Sequence, residues 1–170
     1  MAADTPLPLT LGYGASAATA VRAEAGYSRP MADEHPNVRL IRDFHAAQNR
    51  FYAGGNEEPV RAMLAADVTW HVPGRSALAG DYVGRDEVLR YFASRRQLAH
   101  ATLRIVVHQV LAHDQHAVVF ASGQLERDAE ARGWDLVAVF RLAHGMIAEC
   151  RVLPYDQYAY DEIWSERASP

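Results

Sequence analysis

His71 lies near the end of the apolar run VTWHV, beside Trp70 and two residues before the Pro73-Gly74 break. An imidazole between aromatic and aliphatic neighbours can have its pKa moved to suit acid–base chemistry. Such a group takes a proton from an acidic carbon or hydroxyl and returns it elsewhere, worth about 10²–10⁴ in rate. His45 and Gln48 lie one helical turn apart and offer hydrogen bonds to a ligand carbonyl. His108 stands among Val106, Val107 and Val110, and Glu149 stands between Ala148 and Cys150, with Arg151 two residues on. A His–Glu pair across a sheet would supply an acid and a base. The alternative for Glu149 and Arg151 is a salt-linked pair on the sheet's outer face. His113 and His116 form an HxxH pattern in a tight turn with no further ligand at a suitable spacing, so no metal is expected. Cys150 reads as a small core residue rather than a nucleophile, because nothing beside it in sequence lowers its pKa.

These side chains need elements to aim them. Val38, Ile41, Phe44, Gln48 and Phe51 recur at helical spacing and predict a helix over residues 37–53, ended by Gly54-Gly55. Asn56 can cap a short second helix carrying Val60, Met63 and Leu64, with Pro59 in its first turn. Residues 68–72 read as a strand, with a very short strand around Tyr82 and a third helix over residues 85–98. From residue 102 the period becomes two, predicting strands at 102–112, 116–127, 134–143 and 146–155 with short joins, hence antiparallel neighbours. Residues 156–164 form a closing short helix or arm. Helices first and a meander afterwards means α+β. Phe44, Phe51, Trp70, Tyr91, Phe92, Trp134 and Phe140 supply aromatic surface, most of it core and some of it lining a ligand cavity between helices and sheet.

The composition narrows the class. A net charge of −4 with mixed, scattered signs lacks the basic face that a nucleic-acid partner requires. One cysteine excludes an intrachain disulfide and fits a reducing cytoplasm. No apolar run approaches the roughly 20 residues of a membrane span, so no membrane partner is expected. Residues 1–35 are rich in Ala, Gly, Ser, Thr and Pro, and read as a disordered or dispensable tail with Met31 as a possible alternative start. Residues 36–165 form a single domain, and residues 166–170 a short C-terminal tail.

With YVGRDEVLRYF following VTWHVPG, this order of elements resembles the SnoaL-like and ketosteroid-isomerase-like proteins. They belong to a cone-fold superfamily named for a nuclear transport factor. The resemblance implies an α+β fold: a cone-shaped, curved antiparallel sheet with about three helices packed on its concave face. It also implies a homodimer, a hydrophobic polyketide- or steroid-like ligand, and no cofactor. Counting back from Gly74, His71 falls where ketosteroid isomerases keep a proton-shuttling aspartate. Their oxyanion-binding tyrosine falls near Ala47, where His45 and Gln48 are the closest polar groups. Their protonated aspartate falls near Ala138, which cannot donate a hydrogen bond. In the epoxide-hydrolase branch one aspartate of an Asp-Arg-Asp set falls at Val152. The polyketide-cyclase branch relies on one or two acid–base residues in an apolar cavity and tolerates this pattern. The resulting expectation is isomerisation, cyclisation or dehydration with His71, His45, His108 and Glu149 as acid–base residues. The alternative is a non-catalytic ligand-binding or dimerisation module; fold by itself does not decide between them.

Overall fold

In the computed structural model, which describes residues 34–165, the first helix α1 (Pro36–Tyr52) starts at a proline whose missing N–H is not needed there. His35 caps it, its Nδ1 accepting from the Asn37 N–H at 3.2 Å. The buried stripe Ile41, Phe44, His45, Gln48, Phe51 and Tyr52 follows the 3–4 residue spacing of one helix face. Helix α2 (Glu58–Arg61) is a single turn. Strand β1 (Leu64–Val72) and the short β2 (Gly80–Val83) lead to α3 (Arg85–Leu98). Strands β3 (Arg104–Ala112), β4 (His116–Arg127), β5 (Glu130–Ala143) and β6 (Met146–Pro154) follow, and α4 (Gln157–Trp164) closes the chain.

The six strands form one curved, unclosed sheet in the order β2-β1-β6-β5-β4-β3. Sequence reasoning anticipates the meander and the α+β class. It does not anticipate that β1 and β6 pair in parallel, with His71 opposite Arg151. Parallel neighbours need a long connection, and the α3-to-β5 segment provides it. The β4–β5 join is also tighter than residues 128–133. Asp128 and Ala129 both have positive φ (54° and 60°), which is a two-residue hairpin turn, and the strand resumes at Glu130. The polar EARG run hides that extension, because neither of its faces is apolar.

Helices α1 and α3 pack on the concave face. Phe44 of α1 and Phe92 of α3 meet Trp70 of β1 and Phe140 of β5 there. Strand side chains alternate between faces. Val68, Trp70 and Val72 therefore point to the helices, and Thr69 and His71 point to the opposite, outer face. Close approach shapes the far end of the cone. A Cβ at Gly123 would sit 2.1 Å from the Trp134 ring, so the glycine lets this indole lie on β4. No helix among the described residues is long and apolar enough to cross a membrane. Of the expected tail over 1–35, residues 1–33 with Met31 lie outside the described residues, as does 166–170, whereas His35 caps α1.

Candidate active site

Aromatic rings fill the middle of the concave face. Phe44, Trp70, Phe92 and Phe140 form a contiguous group with ring centroids 5.0–6.3 Å apart, mostly tilted or edge-on. Gln48, Phe51, Tyr91, Trp134 and Ala138 are also buried. All nine residues expected to contact a ligand therefore lie in the interior. Ala138 adds only a methyl group there, pairing with Val119 and Val152 on the neighbouring strands.

His45 is the one candidate acid–base group buried within this set. Its ring stands edge-on to Phe44 and Phe140 at 5.3 and 5.9 Å. Nδ1 donates to the Ile41 carbonyl at 2.8 Å, the oxygen one turn earlier in α1. That bond fixes the tautomer and leaves Nε2 with the lone pair. Burial, reinforced by the Arg95 charge, lowers the imidazole to about 4, while the Ile41 bond works in the opposite direction. The ring is thus neutral at physiological pH. His45 borders a depression of about 280 Å³ between α1 and β3, shared with Arg42, Asn49, Val107, His108 and Gln109.

The other three candidates lie elsewhere. His71 projects from the outer face, with Nδ1 2.7 Å from Asp81 Oδ1 and Nε2 3.4 Å from Glu149 Oε1. Glu149 also pairs with Arg141 at 3.3 Å and Arg151 at 2.9 Å. Partial burial pushes this carboxyl upward, but the two guanidiniums outweigh it and hold it below its ordinary value. His71 and Glu149 are indeed brought together, as members of a salt-linked cluster with both imidazole nitrogens committed. His108 bonds Ser122 across β3 and β4 at 3.0 Å and reaches the rim of the His45 depression. His113 and His116 flank the β3–β4 turn with ring centroids 5.4 Å apart. Cys150 is fully buried, and burial pushes its thiol well up.

Sequence reasoning overlooks a second polar group at the far end of the cone. Arg95 of α3 is 5% exposed and its Nη1 donates to Tyr52 Oη at 3.2 Å. Tyr52, Tyr91 and Trp164 surround its guanidinium at 5.5, 5.7 and 4.9 Å from the ring centroids. Burial pushes the Tyr52 phenol up to about 12 and that of Tyr91 well above its ordinary value, so both are neutral donors. The signal for Arg95 was present: Val88, Tyr91, Phe92 and Arg95 share the buried face of α3 at 3–4 residue spacing. The adjacent Arg96 makes the pair look like a solvated helix end.

A family model for the SnoaL-like domain matches residues 41–150. Among solved structures, Bal32a from a soil-derived mobile gene cassette is 28% identical, with a TM-score of 0.70 over 76% of this chain and 96% of that one. An NTF2-like protein from Burkholderia pseudomallei K96243 is 20% identical, with a TM-score of 0.66 over 78% of this chain and 100% of that one. A protein from Jannaschia sp. CCS1, provisionally named a SnoaL-like polyketide cyclase, is 18% identical, with a TM-score of 0.62 over 79% and 94%. No curated protein matches the chain. The match spans most of the described residues, and its cone is the sheet and helix arrangement described above: the chain belongs to the SnoaL-like domain family.

Proposed function

We propose that this chain is a cofactor-independent acid–base enzyme of isomerase, cyclase or dehydratase type. Its substrate is a hydrophobic, polyketide- or steroid-like small molecule entering between the helices and the sheet. His45, rather than His71, is the principal base. The observation that carries this reading is the neutral His45 ring, oriented by Ile41 and bordering a depression lined by Val107 and His108. A base held neutral by apolar surroundings abstracts a proton without first losing one of its own. His71 lacks that freedom, because two carboxylates engage it. The family match and the cyclase name carried by one neighbour agree with this class.

A second reading is favoured by two features: the densely packed aromatic interior and the alanine at position 138. In that reading the cone is a ligand-binding or dimerisation module without chemistry. The two separate with 5-nitrobenzisoxazole, whose ring opening requires only the removal of one carbon-bound proton. An enzyme of the proposed kind accelerates this opening, and His45→Ala loses about 10²-fold or more of the acceleration. A rate equal to that in buffer favours the module.

The outer face suits a homodimer under either reading. Val118, Phe120, Val137 and Val139 lie half-buried there beside the exposed Leu153, with the His71–Glu149 cluster at the edge. The single, buried Cys150 fits a cytoplasmic setting.

A further inference from the structure

Helix α4 packs Tyr160, Ile163 and Trp164 against the far end of the cone, and Trp164 is fully buried. Beneath it lies Arg95, whose guanidinium rests against three aromatic rings. A guanidinium has five N–H donors, and a buried one is ordinarily matched by a carboxylate. Arg95 has the Tyr52 hydroxyl, and among the described residues its Nε has no hydrogen-bond partner. The same is true of Tyr91 Oη, Trp134 Nε1 and Trp164 Nε1. The Tyr160 hydroxyl approaches that of Tyr91 but falls outside hydrogen-bond geometry with it. Arg95 Nε and two donors on the rings beside it, Tyr91 Oη and Trp164 Nε1, are buried without acceptors and depart from the rule that interior polar atoms are paired. An acceptor carrying negative charge would satisfy them.

Besides this buried apolar face, α4 is held by a few polar tethers. Asp161 accepts from the backbone N–H groups of Arg75 and Ser76 at 3.0 and 3.2 Å. Gln157 donates to the Pro73 carbonyl at 3.3 Å, and Arg127 donates to that of Ile163 at 2.8 Å. Trp164 presents to Arg95 a flat aromatic face at 4.9 Å, which any planar ring could replace.

We infer that the Arg95 cage beneath α4 is a binding site for a flat aromatic anion, a carboxylate or phenolate, and that Trp164 occupies the place of its ring when the site is closed. The anion's oxygens accept from Arg95 Nε and Tyr91 Oη, and its ring fills the aromatic space that Trp164 leaves. Opening requires α4 to move while the sheet keeps its strand order. This site is separate from the His45 depression and does not depend on proton transfer there. Loss of benzisoxazole turnover in His45→Ala leaves it intact.

The test is isothermal titration calorimetry with 2-naphthoate and its neutral counterpart 2-naphthamide, using the full chain. Wild type is expected to bind naphthoate about tenfold or more tightly than the amide. Asp161→Ala frees α4 without touching the cage and is expected to tighten naphthoate binding about threefold or more. Arg95→Met keeps the volume, removes the charge and is expected to bring the two probes level. Equal affinities in wild type, weaker naphthoate binding in Asp161→Ala, or a charge preference surviving in Arg95→Met would each overturn the assignment. If Arg95→Met does not fold, the wild-type ratio and Asp161→Ala decide.

Discussion

Asp161 lies so close to Gly74 that a Cβ added to the glycine would sit 2.1 Å from the Asp161 Oδ1. The bend that ends β1 and the helix that ends the chain are therefore one joint. Gly74 has a φ of +106°, which the bend requires and other residues adopt only under strain.

Gly74→Ala is expected to destabilise the fold by about 1–3 kcal/mol, combining backbone strain with the clash. Gly54→Ala is the control: it has a similar φ of +100° but nothing within 4 Å of the added atom. It loses only the backbone component, about 1 kcal/mol. Urea unfolding of both variants checks the difference. Limited proteolysis should cut within α4 faster in Gly74→Ala.

His45 makes the fold acid-sensitive in a defined window. Its folded value, about 4, lies below the ordinary imidazole value of 6.5, so below pH 6.5 the unfolded chain binds the extra proton first. Stability therefore falls as pH drops from about 6.5 to about 4, by roughly 3 kcal/mol from this group. His45→Gln removes the loss in that interval. Thermal melts of the two proteins between pH 4 and 7 measure it.

Glu149 contributes on the outer face with the sign usual for a carboxylate. Its folded value is depressed, so its stabilisation is present above the ordinary carboxylate range and is lost as pH falls through the folded value. The pairs are half-exposed, so Glu149→Gln should lower stability at neutral pH by no more than about 1 kcal/mol. The difference should shrink at high salt, because exposed pairs are screened. Denaturant melts at low and high ionic strength test this.

The half-buried outer-face residues predict association. Phe120 and Val137 are register partners at the centre of this patch. Val137→Arg should convert a dimer to a monomer by placing a charge in its apolar middle. Light scattering should give twice the chain mass for the wild type and the single chain mass for the variant.

Local pattern made much of this fold legible. The limits of α3 and β4 follow from periodicity, because each carries an unbroken apolar stripe of one period. Strand order did not follow. Nothing in residues 64–72 announces a parallel partner some 80 positions later, because pairing across a long connection leaves no local mark. The side to which His71 points was legible. Val68, Trp70 and Val72 occupy alternate positions, which sends His71 to the opposite face, whereas counting from Gly74 matched it to the position of a relative's catalytic aspartate and said nothing of its side. Arg95 was hidden for another reason. Its helix face shows it beside Tyr91, but Tyr52 and Trp164 come from α1 and α4, so only tertiary structure completes its surroundings.

The most direct test of the proposed chemistry is the pH dependence of 5-nitrobenzisoxazole opening by wild type, His45→Ala and His71→Ala. With His45 as base, the wild-type rate is flat above about pH 5 and falls through about pH 4 as the imidazole takes up a proton. His45→Ala loses the acceleration, and His71→Ala stays within about twofold of wild type, since its ring lies on the other side of the sheet. Loss of the acceleration in His71→Ala, with the rate intact in His45→Ala, would contradict the account.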